Sequence, residues 1–518
     1  MGVTQGMAIT QRTAIMPVTS GMAITARRRT RAHRWSRRGI HMRGTEGTSI
    51  MARTEWALVL LGLGACASRG IGADVSRVRT LAQVEALPRV TSEDVEGATA
   101  RDARALLEGE LSADAAVRVA LLNNRELRAK LRELGVTRGR LLSAGLVANP
   151  TFEVEVLPER DSDLELRVEY DVSSLVLAPL ASRAAGAELE AARYQVAGEV
   201  VRLGYDARSA YLGVQSAAQR LAYAQRTLDA LTAGRDAALA LLEAGNVPQL
   251  EASRQVVAYE NARIEVARLE LALADAREQL TRLLGLYGED VDVRLAEAFQ
   301  PVPASIELPE RLETRVLEAS LDMKAIQQSL VAAGRRTGVA RTSAYLPEVA
   351  VDVHALRAKP HEGQSEHDWR YGGGVSVGVP LFDRRQGTVR GAEAQFDVLR
   401  EREQQLAIEL RSRAREARNR LVSTHARVRL YETTLLPAQR TVMEQSLLQY
   451  NAMQLGVFEL LAARRAELDI ELAYVEAQRA FWEASAALDA LLAGKVVTQG
   501  QSAAAPAMSG GEAQGGGH

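Results

Sequence analysis

The sequence is poor in most of what compact catalytic domains use. One cysteine, Cys66, stands in 518 residues, which excludes a disulfide within the chain and a cysteine-based metal cluster. Aromatic residues make up only 4%, too few for an aromatic-centred core. Only four of the 64 basic residues are lysines: Lys130, Lys324, Lys359 and Lys495. There is no Gly-rich phosphate loop closing on Lys-Ser/Thr, and the seven histidines show no metal-ligand spacing. Both lacks argue against an enzyme, with no cofactor and no metal expected. Proline is absent from 181–245 and reduced to Pro437 across 382–454. No apolar run reaches the roughly 20 residues that a helix needs to span a bilayer.

What remains is rich in Ala, Leu, Arg and Glu, the composition of long packed helices. The net charge of −1 hides an asymmetry, because residues 1–50 hold nine arginines and one glutamate. The rest of the chain is therefore acidic, and nucleic acid is not an expected partner. Residues 1–50 repeat Gly-Met-Ala-Ile-Thr at 6–10 and 21–25 without apolar periodicity. They read as an over-extended start or a disordered leader. From Met51 a short apolar run, Ala57 to Ala65, ends at Cys66. Residues 51–65 thus read as a signal peptide. Leu63-Gly64-Ala65-Cys66 looks like a lipobox, which makes Cys66 the expected site of lipidation and 66–110 the mature N-terminal segment.

Beyond it the chain says one thing twice, over 111–290 and 308–494. Each copy runs helix, strand, turn, strand, very long helix, tight turn, long helix, and 495–518 reads as a disordered tail. Pro150 and Pro347 open the strand pairs, expected at about 150–178 and 346–381. Pro179-Leu180 and Pro380-Leu381 close them. A period of this size is a duplicated module rather than a solenoid. Apolar residues at 3,4 spacing run from Tyr259 to Leu283, from Ala417 to Val442 and from Ala463 to Leu491, the seams of coiled-coil packing. Gly245 and Pro248 mark one hairpin turn, and the stretch from Asn451 to Gly456 marks the other. Pro437 predicts a local bend.

The strands carry the functional signal. Leu164, Leu166, Val168, Tyr170 and Val172 alternate with Glu165, Arg167, Glu169 and Asp171; Glu153 and Glu155 alternate likewise in the strand before. In the second copy Val349, Val351 and Val353 alternate with Ala350, Asp352 and His354. Period two with one apolar face fits a membrane β-barrel with a wet interior, whose lumen-facing residues would be Glu153, Glu155, Glu165, Arg167, Glu169, Asp171 and Asp352. Four strands leave two raw edges, which lipid does not tolerate, so the barrel must close between chains. Three chains, giving twelve strands, leave an open lumen where two would fill theirs. His354, His361 and His367 lie in or beside one hairpin and read as solvated residues rather than as a metal site.

Ala120-Leu-Leu-Asn-Asn-Arg-Glu-Leu127, Asn149-Pro150, Val379-Pro-Leu-Phe-Asp-Arg-Arg-Gln-Gly387, Tyr450-Asn-Ala-Met-Gln-Leu-Gly456 and Phe481-Trp482-Glu483 stand in the order found in TolC-type outer-membrane efflux proteins. The chain resembles that family, and most closely its heavy-metal resistance branch. Pro179-Leu180-Ala181-Ser182-Arg183 departs from the pattern in lacking an aromatic. The resemblance implies a homotrimeric tunnel, a twelve-stranded barrel in outer-membrane lipid continued by a periplasmic α-helical barrel. It implies an exit duct for substrates such as heavy-metal cations or drugs. The implied partners are a periplasmic adaptor (membrane-fusion) protein and an inner-membrane pump of resistance-nodulation-division type. It also places acidic residues at an inward-coiled gate, for which Glu444 is the candidate by position. Two other readings stay open: a structural coiled-coil surface lipoprotein, and the exit duct of a type I protein secretion system.

Overall fold

The computed structural model describes residues 70–85, 87–88, 101–156, 162–296, 298–358 and 368–497. Cys66, His361, His367 and the segment 1–50 lie outside the described residues.

Two helix–sheet–helix modules follow a short leading helix, α1 (Gly72–Ala82). The first comprises β1 (Glu110–Leu111), α2 (Ala113–Asn123), α3 (Arg125–Gly145), β2 (Thr151–Val156), β3 (Ser162–Asp171), α4 (Ser173–Glu243) and α5 (Gln249–Leu284). After β4 (Arg294–Leu295) the second comprises α6 (Leu312–Ala319), α7 (Leu321–Tyr345), β5 (Glu348–Ala358), β6 (Asp368–Gly378), α8 (Gln386–Leu430), α9 (Leu436–Asn451) and α10 (Val457–Leu492). Among the described residues no helix is long and apolar enough to cross a membrane.

The duplication extends to individual caps. Asn124 Oδ1 accepts the Leu127 amide at 2.9 Å to start α3, and Ser320 Oγ accepts the Met323 amide at 3.1 Å to start α7. Each cap breaks a helix pair at one place and lets the next helix leave at an angle. Those two helices then climb toward the strands alongside α4 and α8, in the lateral order α3, α4, α7, α8. Toward the other end the order is α5, α4, α10, then α8 and α9. Each module buries its own apolar cluster. One gathers Val119, Leu131, Val200 and Leu284, the other Val316, Leu410, Phe481 and Leu488.

Helix α4 is 71 residues long, about 106 Å at 1.5 Å per residue. It begins at Ser173, so the expectation that Pro179-Leu180 closes the strand pair is corrected: β3 ends at Asp171 and Pro179 lies inside the helix. The Asp171 carboxylate explains the early start. It accepts the Ser173 amide at 2.9 Å and also the Ser173 hydroxyl, an N-terminal cap that propensity outside it does not reveal.

The second long helix is interrupted by a π turn, Tyr431–Leu435, just before Pro437. The wide turn takes up the bond that the proline cannot donate, and α9 continues beyond it. It also inserts one residue into the heptad order. The seam expected at Ala438 and Val442 therefore turns outward, and Leu436, Gln439, Met443 and Ser446 face inward instead. The turn is tied to α10, where the Tyr474 hydroxyl donates to Glu432 Oε1 at 2.9 Å while Arg429 holds Oε2 at 2.6 Å. Burial first, and then the Glu432 carboxylate, push the Tyr474 hydroxyl's pKa up. The expected seam on α10 is one of two: Leu468, Val475, Phe481 and Leu488 bury as well, because α10 lies between α4 and α8.

Helix α1 is pinned by charge. Asp74 is fully buried and accepts Arg138 Nε at 2.6 Å, Arg138 Nη2 at 2.7 Å and Arg193 Nε at 2.9 Å. Burial alone would raise its pKa; the two guanidinium groups outweigh that and hold it below the ordinary carboxylate value. The expected tail starts later than read, since Lys495 binds Asp322 at 3.0 Å and Val496 packs on the second core.

Candidate functional site: a two-faced strand wall and a helical tip

The four long strands form one antiparallel sheet in the order β2-β3-β5-β6. Its register decides which side chains share a face. Glu153 pairs with Arg167, and Arg167 with His354; Glu155 pairs with Glu165; Glu169 pairs with Asp352; Asp171 pairs with Ala350. All seven residues expected in the lumen therefore project from one side of the sheet. Glu348, Arg370 and Asp368 share that side, by the same period of two carried to the strand ends. Phe152, Val154, Leu166, Val168, Val353, Val375 and Val377 stand on the other, each exposed to solvent in the single chain. The outer rows of β2 and β6 carry no partner strand among the described residues.

On the polar side Arg167 is neutralised locally, Nη2 donating to Glu165 Oε1 at 2.7 Å. Asp171 is spent as the α4 cap. Along the middle of the wall the remaining carboxylates are Glu153, Glu155, Glu169 and Asp352, with Glu348, Asp368 and Arg370 at the strand ends. On β6 the polar side bears Gly372, Gly374, Ser376 and Gly378, so this strand is nearly bare there. Asp352 and His354 lean across it, Nδ1 to Oδ2 at 3.0 Å. No group of three or more His, Cys, Asp or Glu side chains placed to hold a metal occurs among the described residues.

The opposite end consists of two helical hairpins. Gly245 has φ +73° and donates to Leu242 O at 2.9 Å while Asn246 donates to Leu241 O at 2.8 Å, a Schellman closure. Pro248 sits one residue before α5 and leaves its carbonyl to the Glu251 amide at 3.0 Å. In the second hairpin the left-handed position is Met453, φ +59°, and not Gly456. Gly456 instead starts α10, its amide donating to Glu459 Oε2 at 3.0 Å. Glu444 lies on α9, exposed, next to the half-buried Met443 and ahead of the helix end at Asn451.

A wall of four strands with one apolar and one acidic face, set on helices of which the longest, α4, runs about 106 Å, defines an outer-membrane channel fold. Residues 312–494 match the family model described as outer membrane efflux protein. Over its second module the chain is thus similar to that family, whose members are channels and not enzymes. It is 25% identical over 394 residues to the cobalt-zinc-cadmium resistance protein CzcC of Cupriavidus metallidurans, covering 74% of this chain and 90% of that protein. Its fold is that of the CusC transmembrane channel, with a TM-score of 0.60 at 19% identity over 73% of this chain and 91% of the other. The Campylobacter jejuni CmeC outer membrane channel shares it at a TM-score of 0.61 and 14% identity, over 74% and 85%.

Proposed function

We propose that three copies of the chain close one twelve-stranded barrel and serve as the exit duct of a tripartite efflux system for divalent transition-metal cations. The observation that carries this is the strand wall: apolar on one face, acidic on the other, with an unpaired strand at each side. Lipid requires those edges to be joined, and three chains leave a lumen that two would fill. The helices agree. Leu250, Val257, Ile264 and Leu271 repeat every seven residues on α5 and are 59–68% exposed. Helix α5 is an outermost helix of the chain at that end, so a neighbouring copy supplies the cover this stripe lacks.

The sequence carries no Gly-rich phosphate loop closing on Lys-Ser/Thr, so the energy comes from an inner-membrane pump, of resistance-nodulation-division type, through a periplasmic adaptor. Lipidation of Cys66 would tether the chain in the outer membrane. Glu153, Glu155, Glu169 and Asp352, tripled by symmetry, attract cations to the lumen. The metal class follows the likeness to a cobalt-zinc-cadmium resistance protein. Disrupting the gene should raise cell-associated cobalt, zinc or cadmium and lower tolerance to them. Unchanged tolerance to all three, with lowered tolerance to organic drugs, would move the substrate class.

A further inference from the structure

His354 and Asp352 stand two residues apart on the polar face of β5 and lean the same way, over β6. The room is made by glycine. A Cβ at Gly372 would lie 2.4 Å from His354 Nε2, and one at Gly374 would lie 2.5 Å from Asp352 Oδ1. The Tyr371-Gly-Gly-Gly-Val375 stretch is therefore a seat for these two side chains as well as a strand. Asp352 Oδ2 is 3.0 Å from His354 Nδ1. A carboxylate at one imidazole nitrogen fixes the ring's orientation and keeps the proton on that side, leaving the lone pair of the other nitrogen free. Metal-binding histidines are oriented in this way. On the other flank the register sets Arg167 beside His354 and Glu169 beside Asp352, and Arg167 is occupied by Glu165. The imidazole side chain is 25% exposed, and it lies on the polar side of the sheet.

We infer that His354, oriented by Asp352, is a single-ligand docking point for borderline divalent cations such as Zn²⁺, Co²⁺ and Cd²⁺, one on each chain's wall. Imidazole selects these over Mg²⁺ and Ca²⁺, which take oxygen ligands. Among the described residues no third donor is grouped with them, so the site that they form binds weakly and releases readily, which a conducting path requires. The neighbouring carboxylates of Asp352 and Glu169 raise the local cation concentration without closing a cage. This inference rests on reading the polar face as the channel wall and adds the residue at which the cargo pauses.

The test is equilibrium dialysis of the full chain, purified in detergent without a histidine tag, against Cd²⁺ in excess Mg²⁺. As Cd²⁺ is raised, the wild type should bind more of it per chain than His354→Gln, the difference rising toward one equivalent at saturation. Asp352→Asn should weaken that site several-fold, and Gly372→Ala should weaken it by displacing the ring. Equal Cd²⁺ binding by wild type and His354→Gln overturns the inference. Planar-bilayer recording separates it from the channel reading. Cd²⁺ binding lost in His354→Gln while the wild type fails to conduct keeps this site and removes the channel. A conducting wild type with binding unchanged by the substitution does the reverse.

Discussion

Asn123 Nδ2 donates to the carbonyl oxygen of Gly285 at 2.6 Å, joining the last residue of α2 to the residue that caps the end of α5. The second module closes in the same way, with the Leu321 amide donating to Gly494 O at 2.8 Å. Both glycines have positive φ, and both are pressed against backbone. A Cβ would lie 2.9 Å from Asn123 O at Gly285 and 2.5 Å from Ala319 O at Gly494. Gly285→Ala and Gly494→Ala should each destabilise by more than about 1 kcal/mol, the second more. Gly139→Ala, mid-helix with nothing within 4 Å, should instead stabilise by up to about 1 kcal/mol. Thermal midpoints of the three variants check the order.

Removing the Asp74 carboxylate leaves Arg138 and Arg193 facing each other, with Glu190 the anion still paired to Arg193. Asp74→Ala should cost roughly 3–5 kcal/mol, as when one partner of a buried ion pair is deleted. The carboxyl's pKa is lowered in the folded chain, so its stabilisation is complete above the ordinary carboxylate value. It is lost as pH falls through the lower folded value. Amide exchange across Gly72–Ala82 should accelerate in the variant at neutral pH, and in the wild type only in strong acid.

The two faces of β3 make opposite demands on the same side chain. Val168→Arg, placed near the bilayer midplane, should cost about 2–4 kcal/mol and weaken the heat-resistant oligomer on a gel. Arg167→Gln should leave that band intact. Equal loss in both variants would show the faces to be misassigned.

At the far end, three copies of Glu444 are expected to converge on the closed tunnel. Millimolar divalent cations should then block current through the reconstituted wild type, and Glu444→Gln should relieve the block. Recordings in which the substitution changes neither block nor conductance would leave Glu444 an ordinary surface acid.

Period two and period seven are local signals, and they made the strands, their faces and the paired hairpins legible without coordinates. What escaped depends on one extra residue or one distant partner. The π turn adds a single residue and moves the seam from Val442 to Met443. Asp171 starts α4 six residues ahead of its first proline, through a bond to the next turn. Met453 takes the left-handed position that glycine marks in the first hairpin. Asp74 meets Arg138 and Arg193 only after folding, from 64 and 119 residues away.

Single-channel recording of the purified protein in a planar bilayer, under a salt gradient, tests the channel account most directly. Discrete openings with a reversal potential of cation sign are predicted from the acidic face of the wall. A protein that folds, inserts and oligomerises yet passes no current, or one that prefers anions, would contradict it.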